Sequence, residues 1–301
     1  MAQQRTAPAI RASKGGMPLV MVTAYDTPTA RIADDAGVDI ILVGDSVAMV
    51  VLGYEDTLQV TVADMAHHVG AVARARPRAL VVTDMPWLSY HLSAEESVRN
   101  AAVLVRAGAA AVKLEGGRSR VAVVEALVDA QVPVMGHLGL TPQSVHAMGG
   151  FKVQGKEAGA ARALVDDALA LVAAGVFAIV LEGVPDAVAR MVADAVPVPI
   201  IGIGAGRYCD GKVLVLHDVL GLEDRIAPKF VRRYATLKAD GTAALAAFAA
   251  HVRAGAFPSE AETYHLAADV AAQLGLQPDG TPADVFDEAD VARLYGAGMF
   301  A

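Results

Sequence analysis

The feature that most constrains this chain is a pattern repeated along most of its length. A short apolar run ends in a polar residue, and an alanine-rich stretch of helical character follows. Candidate strands lie at Pro18–Asp26, Asp39–Ser46, Ala79–Pro86, Ala110–Gly117, Pro133–Leu140, Phe177–Val184, Pro199–Gly206 and Lys212–Asp218. The runs are near-continuously apolar rather than alternating, as expected of strands covered on both faces. Helices are expected at Thr27–Gly37, Thr61–Arg76, Ser93–Gly108, Ser119–Ala130, Glu157–Gly175 and Pro185–Ala195, with Thr242–Gly255 as the last helix of the core. Eight such units predict an α/β fold of the (β/α)8 TIM-barrel type rather than an open doubly wound sheet. The 301 residues suffice, since one such barrel takes about 250.

Composition narrows the function classes. Apolar residues make up 54% and charged residues 19% of the chain, which is a globular balance. A net charge of -8 argues against a duplex nucleic-acid binder. The densest cationic group, Arg74, Arg76 and Arg78, is expected to complement the negative end of the Thr61–Arg76 helix. Cys209 has no second cysteine to pair with. No signal peptide or spanning segment is legible, so the expectation is a cytoplasmic protein without a membrane partner.

In such a barrel, chemistry sits at the C-terminal ends of the strands. Those ends carry Asp26, Asp45 with Ser46, Asp84, Lys113 with Glu115, His137, Glu182, the glycines 202, 204 and 206, and His217 with Asp218. Asp26, followed by Thr27 and Pro28, reads as a helix cap. Asp45, Asp84 and Glu115 come from three successive strands and would repel unless a cation or proton lies between them. Hard oxygen ligands of this kind suit Mg²⁺. Lys113 and Glu115 are two apart and share a face. Lys113 reads as a counter-charge to the acids or as a hold on a substrate carboxylate, and the acid-rich setting argues against a Schiff base. Glu182, expected nearly opposite the acids, is free to act as a base, against the simpler reading that it caps the next helix. His137 lies between Gly136 and Gly139, which permit close approach of backbone. His67, His68, His91 and His146 read as surface or loop residues. The three glycines fit a close-packed barrel top or an anion-binding loop equally well.

Taken together, several stretches resemble the ketopantoate hydroxymethyltransferase family. They are Val22-Thr23-Ala24-Tyr25-Asp26, Leu42-Val43-Gly44-Asp45-Ser46, Thr61-Val62-Ala63-Asp64-Met65 and Val112-Lys113-Leu114-Glu115-Gly116-Gly117. The longest runs from Gly136-His137-Leu138-Gly139 through Thr141-Pro142-Gln143-Ser144 to Gln154-Gly155. Leu181-Glu182, Ile200 to Gly206, and Leu216-His217-Asp218 complete it. The resemblance implies that Asp45, Asp84 and Glu115 hold Mg²⁺, and that Asp45, Ser46, Asp84 and Lys113 contact a 2-oxo acid. It implies that Glu182 accepts a proton and that His137 lines the site. It further implies 3-methyl-2-oxobutanoate as substrate, 5,10-methylenetetrahydrofolate as one-carbon donor, and a homo-oligomer, often a decamer.

Two rival readings are a lyase or mutase of the phosphoenolpyruvate/isocitrate lyase type, and a catalytically dead barrel acting as a binding protein. The first would carry a cysteine loop near the site, whereas Cys209 lies beyond the seventh strand. The second would be free to lose the polar set. The expected division is a single catalytic barrel over 1–265 and an appendage over 266–301. In the appendage, Leu266, Val270, Leu274 and Leu276 would form one apolar helix face, and Val285, Phe286, Val291, Leu294 and Tyr295 a second.

Overall fold

The structure is a computed structural model that describes residues 4–223 and 228–277. Eight parallel strands close a barrel in the order β1 to β8. They are β1 Leu19–Thr23, β2 Ile40–Val43, β3 Leu80–Asp84, β4 Ala111–Glu115, β5 Val134–Gly139, β6 Ala178–Glu182, β7 Ile200–Ile203 and β8 Gly211–Leu214. Along the chain the helices are α1 Ala7–Arg11, α2 Thr27–Asp35, α3 Val47–Val50, α4 Val62–Ala73, α5 Ala94–Ala107 and α6 Val121–Asp129. They continue with α7 Val145–Met148, α8 Ala158–Ala173, α9 Asp186–Ala195, α10 Leu216–Leu220, α11 Leu237–Arg253 and α12 Ala268–Gln273.

Residues two apart on a strand share a face, and this sorts the core into two clusters. Leu19, Met21, Ile40, Leu42, Leu80, Val82, Ala111, Met135, Ala178, Val180, Ile201 and Val213 fill the bore. Their neighbours Ile41, Val43, Val81, Val112, Leu114, Val134, Leu138, Ile179, Leu181 and Ile200 pack outward against the helices. Because both faces are buried, the strands read as unbroken apolar runs. The helix stops follow local chemistry. Asp26 caps α2, its carboxylate accepting the Thr29 N–H, as its sequence context predicts. The Ser93 hydroxyl accepts the Glu96 N–H at the start of α5, and α5 ends at Gly108 with φ of 120°.

At the N-terminal end of the barrel the five-residue α1 was not legible in the sequence, being too short for a periodic signal. It places the wholly buried Ile10 among the bore residues. Charged side chains fasten this end. Lys14 Nζ lies 2.9 Å from Asp210 Oδ2, and Arg5 lies 2.7 Å from Asp39. Arg78 corrects one expectation: α4 ends at Ala73 with no basic residue in its last turn. The Arg78 guanidinium instead sits 3.1 Å from Asp34, because the intervening turn carries it beyond the helix end.

A second correction concerns the eighth strand. It stops at Leu214, and His217 with Asp218 lies on α10 rather than at a strand end. The chain divides into two compact units after Lys238. The helix expected over Thr242–Gly255 is α11, which has no buried residue and groups from Ala239 with the second unit, not with the barrel. The sequence boundary at 265/266 lies beyond this helix, whereas the division falls within its first turn. Within the second unit the Phe248 and Phe257 rings pack edge to face at 5.4 Å. The first apolar face expected in the appendage overlaps α12, but its Leu266, Val270 and Leu274 are exposed, and the residue buried there is Ala271. The second, Val285 to Tyr295, lies outside the described residues.

Candidate active site

Strand register assembles the site. Asp84 on β3 pairs with Lys113 on β4, Glu115 on β4 pairs with His137 on β5, and Gly139 on β5 pairs with Glu182 on β6. The side chains of Thr23, Asp84, Lys113, Glu115, His137 and Glu182 continue the bore-facing series. With Asp45 and Ser46 from the loop after β2, they line a cavity of about 420 Å³. Apolar side chains also line it, among them Leu42, Val180, Ile203, Val213, Met49, Phe151 and Phe230.

All six acid, lysine and histidine groups of the sequence prediction meet here. Asp45, Asp84, Lys113, Glu115 and His137 are buried, each at 5% exposure or less, and Glu182 is nearly so. Lys113 Nζ lies 2.8 Å from Asp84 Oδ1 and 3.2 Å from His137 Nδ1. His137 Nε2 lies 3.3 Å from Glu182 Oε2 and its Nδ1 3.4 Å from Glu115 Oε1. The sequence reading left Glu182 free of the acid cluster, and in the structure it is linked to it. Its strand neighbours β5, and His137 connects it to the acids. The capping role for Glu182 also falls away, since α9 is preceded by Pro185 and has no side-chain cap.

The electrostatics reflect crowding in a dry site. Burial, and then the charges of Asp84 and Glu115, push the Asp45 carboxyl well above the ordinary carboxylate range. Burial pulls the Lys113 ammonium down, but Asp84, Glu115 and Asp45 outweigh it and hold the amine charged. Burial and Lys113 likewise oppose a charge on His137, yet Glu115 and Glu182 push its pKa up to about 9. Asp84 Oδ1 and His137 Nε2 form charge contacts without a well-angled hydrogen bond, and the buried Thr57 hydroxyl at the cavity has no hydrogen-bond partner among the described residues.

Among the described residues, no three acid, histidine or cysteine side chains already converge as a ligand group. The reason is visible in the hydrogen bonds. Asp84 Oδ2 accepts the Asp45 N–H at 2.9 Å, and Asp45 and Glu115 each give one oxygen to Gln143. Gln143 and its partner Tyr90 were missed in the sequence, although Gln143 stood inside the longest matched stretch. It sits on a single helical turn, Pro142–Ser144, beyond the strand end, where strand periodicity gives no signal. Ser46 hydrogen-bonds the buried Tyr25 hydroxyl at 2.9 Å. His68, partly buried on α4, departs from the surface-or-loop reading, whereas His91 lies in a loop as expected. His68 Nδ1 contacts the Tyr25 carbonyl at 2.7 Å. The half-buried His91 stacks 4.2 Å from the Tyr90 ring, and burial, with Arg120, pushes its pKa down to about 4. The glycine run is a packing feature. A Cβ on Gly202 would meet Cys209 Sγ at 2.7 Å, and one on Gly206 would meet Asp186 Cβ at 2.3 Å.

The family model described as ketopantoate hydroxymethyltransferase matches residues 4–260. The chain belongs to the ketopantoate hydroxymethyltransferase family. A 3-methyl-2-oxobutanoate hydroxymethyltransferase of Syntrophobacter fumaroxidans is 54% identical over 268 residues, covering 89% of this chain and 95% of that protein. The enzyme of the same name from a Methylobacterium species is 57% identical over 259 residues, covering 86% and 90%. Among solved structures, phosphonopyruvate hydrolase in complex with oxalate and Mg²⁺ superposes with a TM-score of 0.58 at 15% identity, over 90% of this chain and 95% of that one. That likeness concerns the barrel alone. The lyase and mutase reading therefore keeps its fold and loses its family, and Cys209, buried in the β7–β8 connection, is not among the residues that line the cavity.

Proposed function

We propose that the buried acids of this hydroxymethyltransferase hold Mg²⁺ through Asp45, Asp84 and Glu115, and that Glu182 is the proton acceptor. The reaction is hydroxymethyl transfer to 3-methyl-2-oxobutanoate in pantothenate biosynthesis. One observation carries the metal reading. Asp45, Asp84 and Glu115 stand buried in one cluster, and the only lysine or arginine side chain paired with it among the described residues is Lys113. Carboxylates so crowded call for a further cation between them, and they are hard oxygen donors of the kind Mg²⁺ prefers. When bound, such an ion supplies Lewis-acid polarisation of a keto oxygen.

The protein groups supply the rest. The Lys113 ammonium faces the cavity and suits a 2-oxo acid carboxylate, with Ser46, Asp45 and Asp84 beside it. His137 holds Glu182 at the rim, and Glu182 takes the proton from the substrate carbon next to the keto group. The electron pair left behind attacks the methylene carbon of 5,10-methylenetetrahydrofolate. Water provides the hydroxyl, tetrahydrofolate leaves, and the product is 2-dehydropantoate. The apolar wall of Leu42, Val180, Ile203 and Val213 suits the branched tail of the substrate.

Turnover of 3-methyl-2-oxobutanoate with 5,10-methylenetetrahydrofolate, measured before and after chelation, tests this. Turnover should vanish on chelation and return with Mg²⁺. Undiminished turnover in the chelator overturns the metal assignment, and none under any condition overturns the reaction.

A homo-oligomer in the cytoplasm completes the proposal. Its support is the second unit, where Leu245 and Phe248 on α11 are 70% and 52% exposed, a cost that burial against another copy would remove. No helix among the described residues is long and apolar enough to cross a membrane. Sedimentation of the full chain should show an assembly, and a stable monomer would refute it.

A further inference from the structure

Two of the three carboxylates, Asp45 and Glu115, are not free to turn as they please, and the group that limits them is neither a ligand nor a reactant. Gln143 is 5% exposed and Tyr90 1%. The Glu115 backbone N–H donates to the Tyr90 hydroxyl oxygen at 3.2 Å. An N–H can only donate, so that oxygen is the acceptor. The single hydroxyl proton of Tyr90 then goes to Gln143 Oε1, 2.6 Å away. This fixes the amide: its Nε2 end points at Asp45 Oδ2, 2.8 Å, and at the Met85 carbonyl, 3.0 Å. Both are acceptors, so every polar atom of the amide is matched. The Gln143 backbone N–H donates to Glu115 Oε2 at 3.0 Å. Arg120 lies over the Tyr90 ring, 5.5 Å from its centroid, and packs it in place.

We infer that Gln143, oriented by Tyr90, is a positioning residue that turns one oxygen of Asp45 and one of Glu115 away from the reacting space and leaves Asp45 Oδ1 and Glu115 Oε1 for a divalent cation. The inference rests on the metal reading above. One residue thereby sets two carboxylates at once, through its side chain and its backbone. If the amide flipped, its oxygen would face Asp45 Oδ2 and the Met85 carbonyl, opposing three acceptors in a dry setting. Tyr90 adds to that cost, because a flipped amide would no longer accept its hydroxyl proton, and this is the route by which Tyr90 acts on the cation through Gln143.

The test uses the full chain and Mg²⁺ alone, titrated by calorimetry, beside kcat and KM and the melting temperature. Gln143→Met should weaken Mg²⁺ binding by about tenfold, the range expected for partners that orient metal ligands. It should also lower kcat more than it raises KM. Tyr90→Phe should weaken binding in the same direction by less. The double variant should match Gln143→Met alone, because the two act in series. Additive losses would show that Tyr90 does not act through Gln143. Parent-like Mg²⁺ affinity in either folded single variant overturns the inference while leaving the metal reading intact. If the parent chain itself binds no Mg²⁺, the metal reading falls and this one with it. A variant in which only the melting temperature moves would reduce Gln143 to a structural bond.

Discussion

The two ends of the barrel use the same residue types to opposite effect. At the N-terminal end each carboxylate has its partners. Asp210 accepts the Ile200 and Gly15 N–H groups and the Lys14 ammonium, and Asp34 takes Arg78 and the Ala79 N–H. Burial opposes charge on both, yet these partners prevail and hold both carboxyls below the usual range. At the C-terminal end Asp45 is pushed the other way by burial and by its acidic neighbours. A carboxylate tied to N–H groups and a cation stabilises the fold. One packed among other carboxylates costs stability until a cation arrives, and that cost is the signature of a site built for chemistry.

Exchanging charge for a neutral amide at each end would sharpen this contrast. The largest effect belongs to Glu182→Gln, which keeps the shape but cannot accept a proton. We expect kcat to fall by about 10²–10⁴-fold with little change in oxo-acid binding, read from steady-state kinetics and ligand titration. Near-normal turnover would remove Glu182 from the reaction. At the other end, Asp210→Asn should leave kcat almost unchanged and cost about 1–3 kcal/mol of stability, seen in urea melts. The pH dependence has a definite sign. The Asp210 carboxyl is depressed in the folded state, so its contribution is complete above the unfolded carboxylate range and fades as pH falls toward the folded value. The parent and Asp210→Asn curves should therefore converge in acid. A gap that widens there would contradict the assignment. The smallest effect is the most diagnostic. Asp45→Asn makes this position of the crowded end permanently neutral, and in metal-free protein at neutral pH it should raise stability by about 1 kcal/mol. Destabilisation would mean that the acid cluster is balanced without a cation, and the comparison between the two ends would fail.

Much of this was legible because a barrel is periodic. Alternation along each strand put Lys113 and Glu115 on one face, and successive strands brought Asp45, Asp84 and Glu115 together at one end. Other features depended on chain segments without a period. Gln143 acts from a single turn, so nothing in its spacing tied it to Asp45, 98 positions earlier. Arg78 was assigned to the nearer helix end, but a turn carried it to Asp34, 44 residues away. His217 followed an apolar run that looked like a complete strand, and the chain turned into α10 three residues early.

The sequence alone determined the barrel, the order of its strands and the family, since those follow from burial on both faces and from the order of polar residues along the strands. The tertiary structure decided which oxygens face the cavity, how His137 joins Glu182 to the acids, and that α11 groups with a separate unit. The physical reason is range. Periodicity is a local property of the backbone, whereas hydrogen-bond direction in a dry pocket is settled by partners that the chain brings together from distant positions.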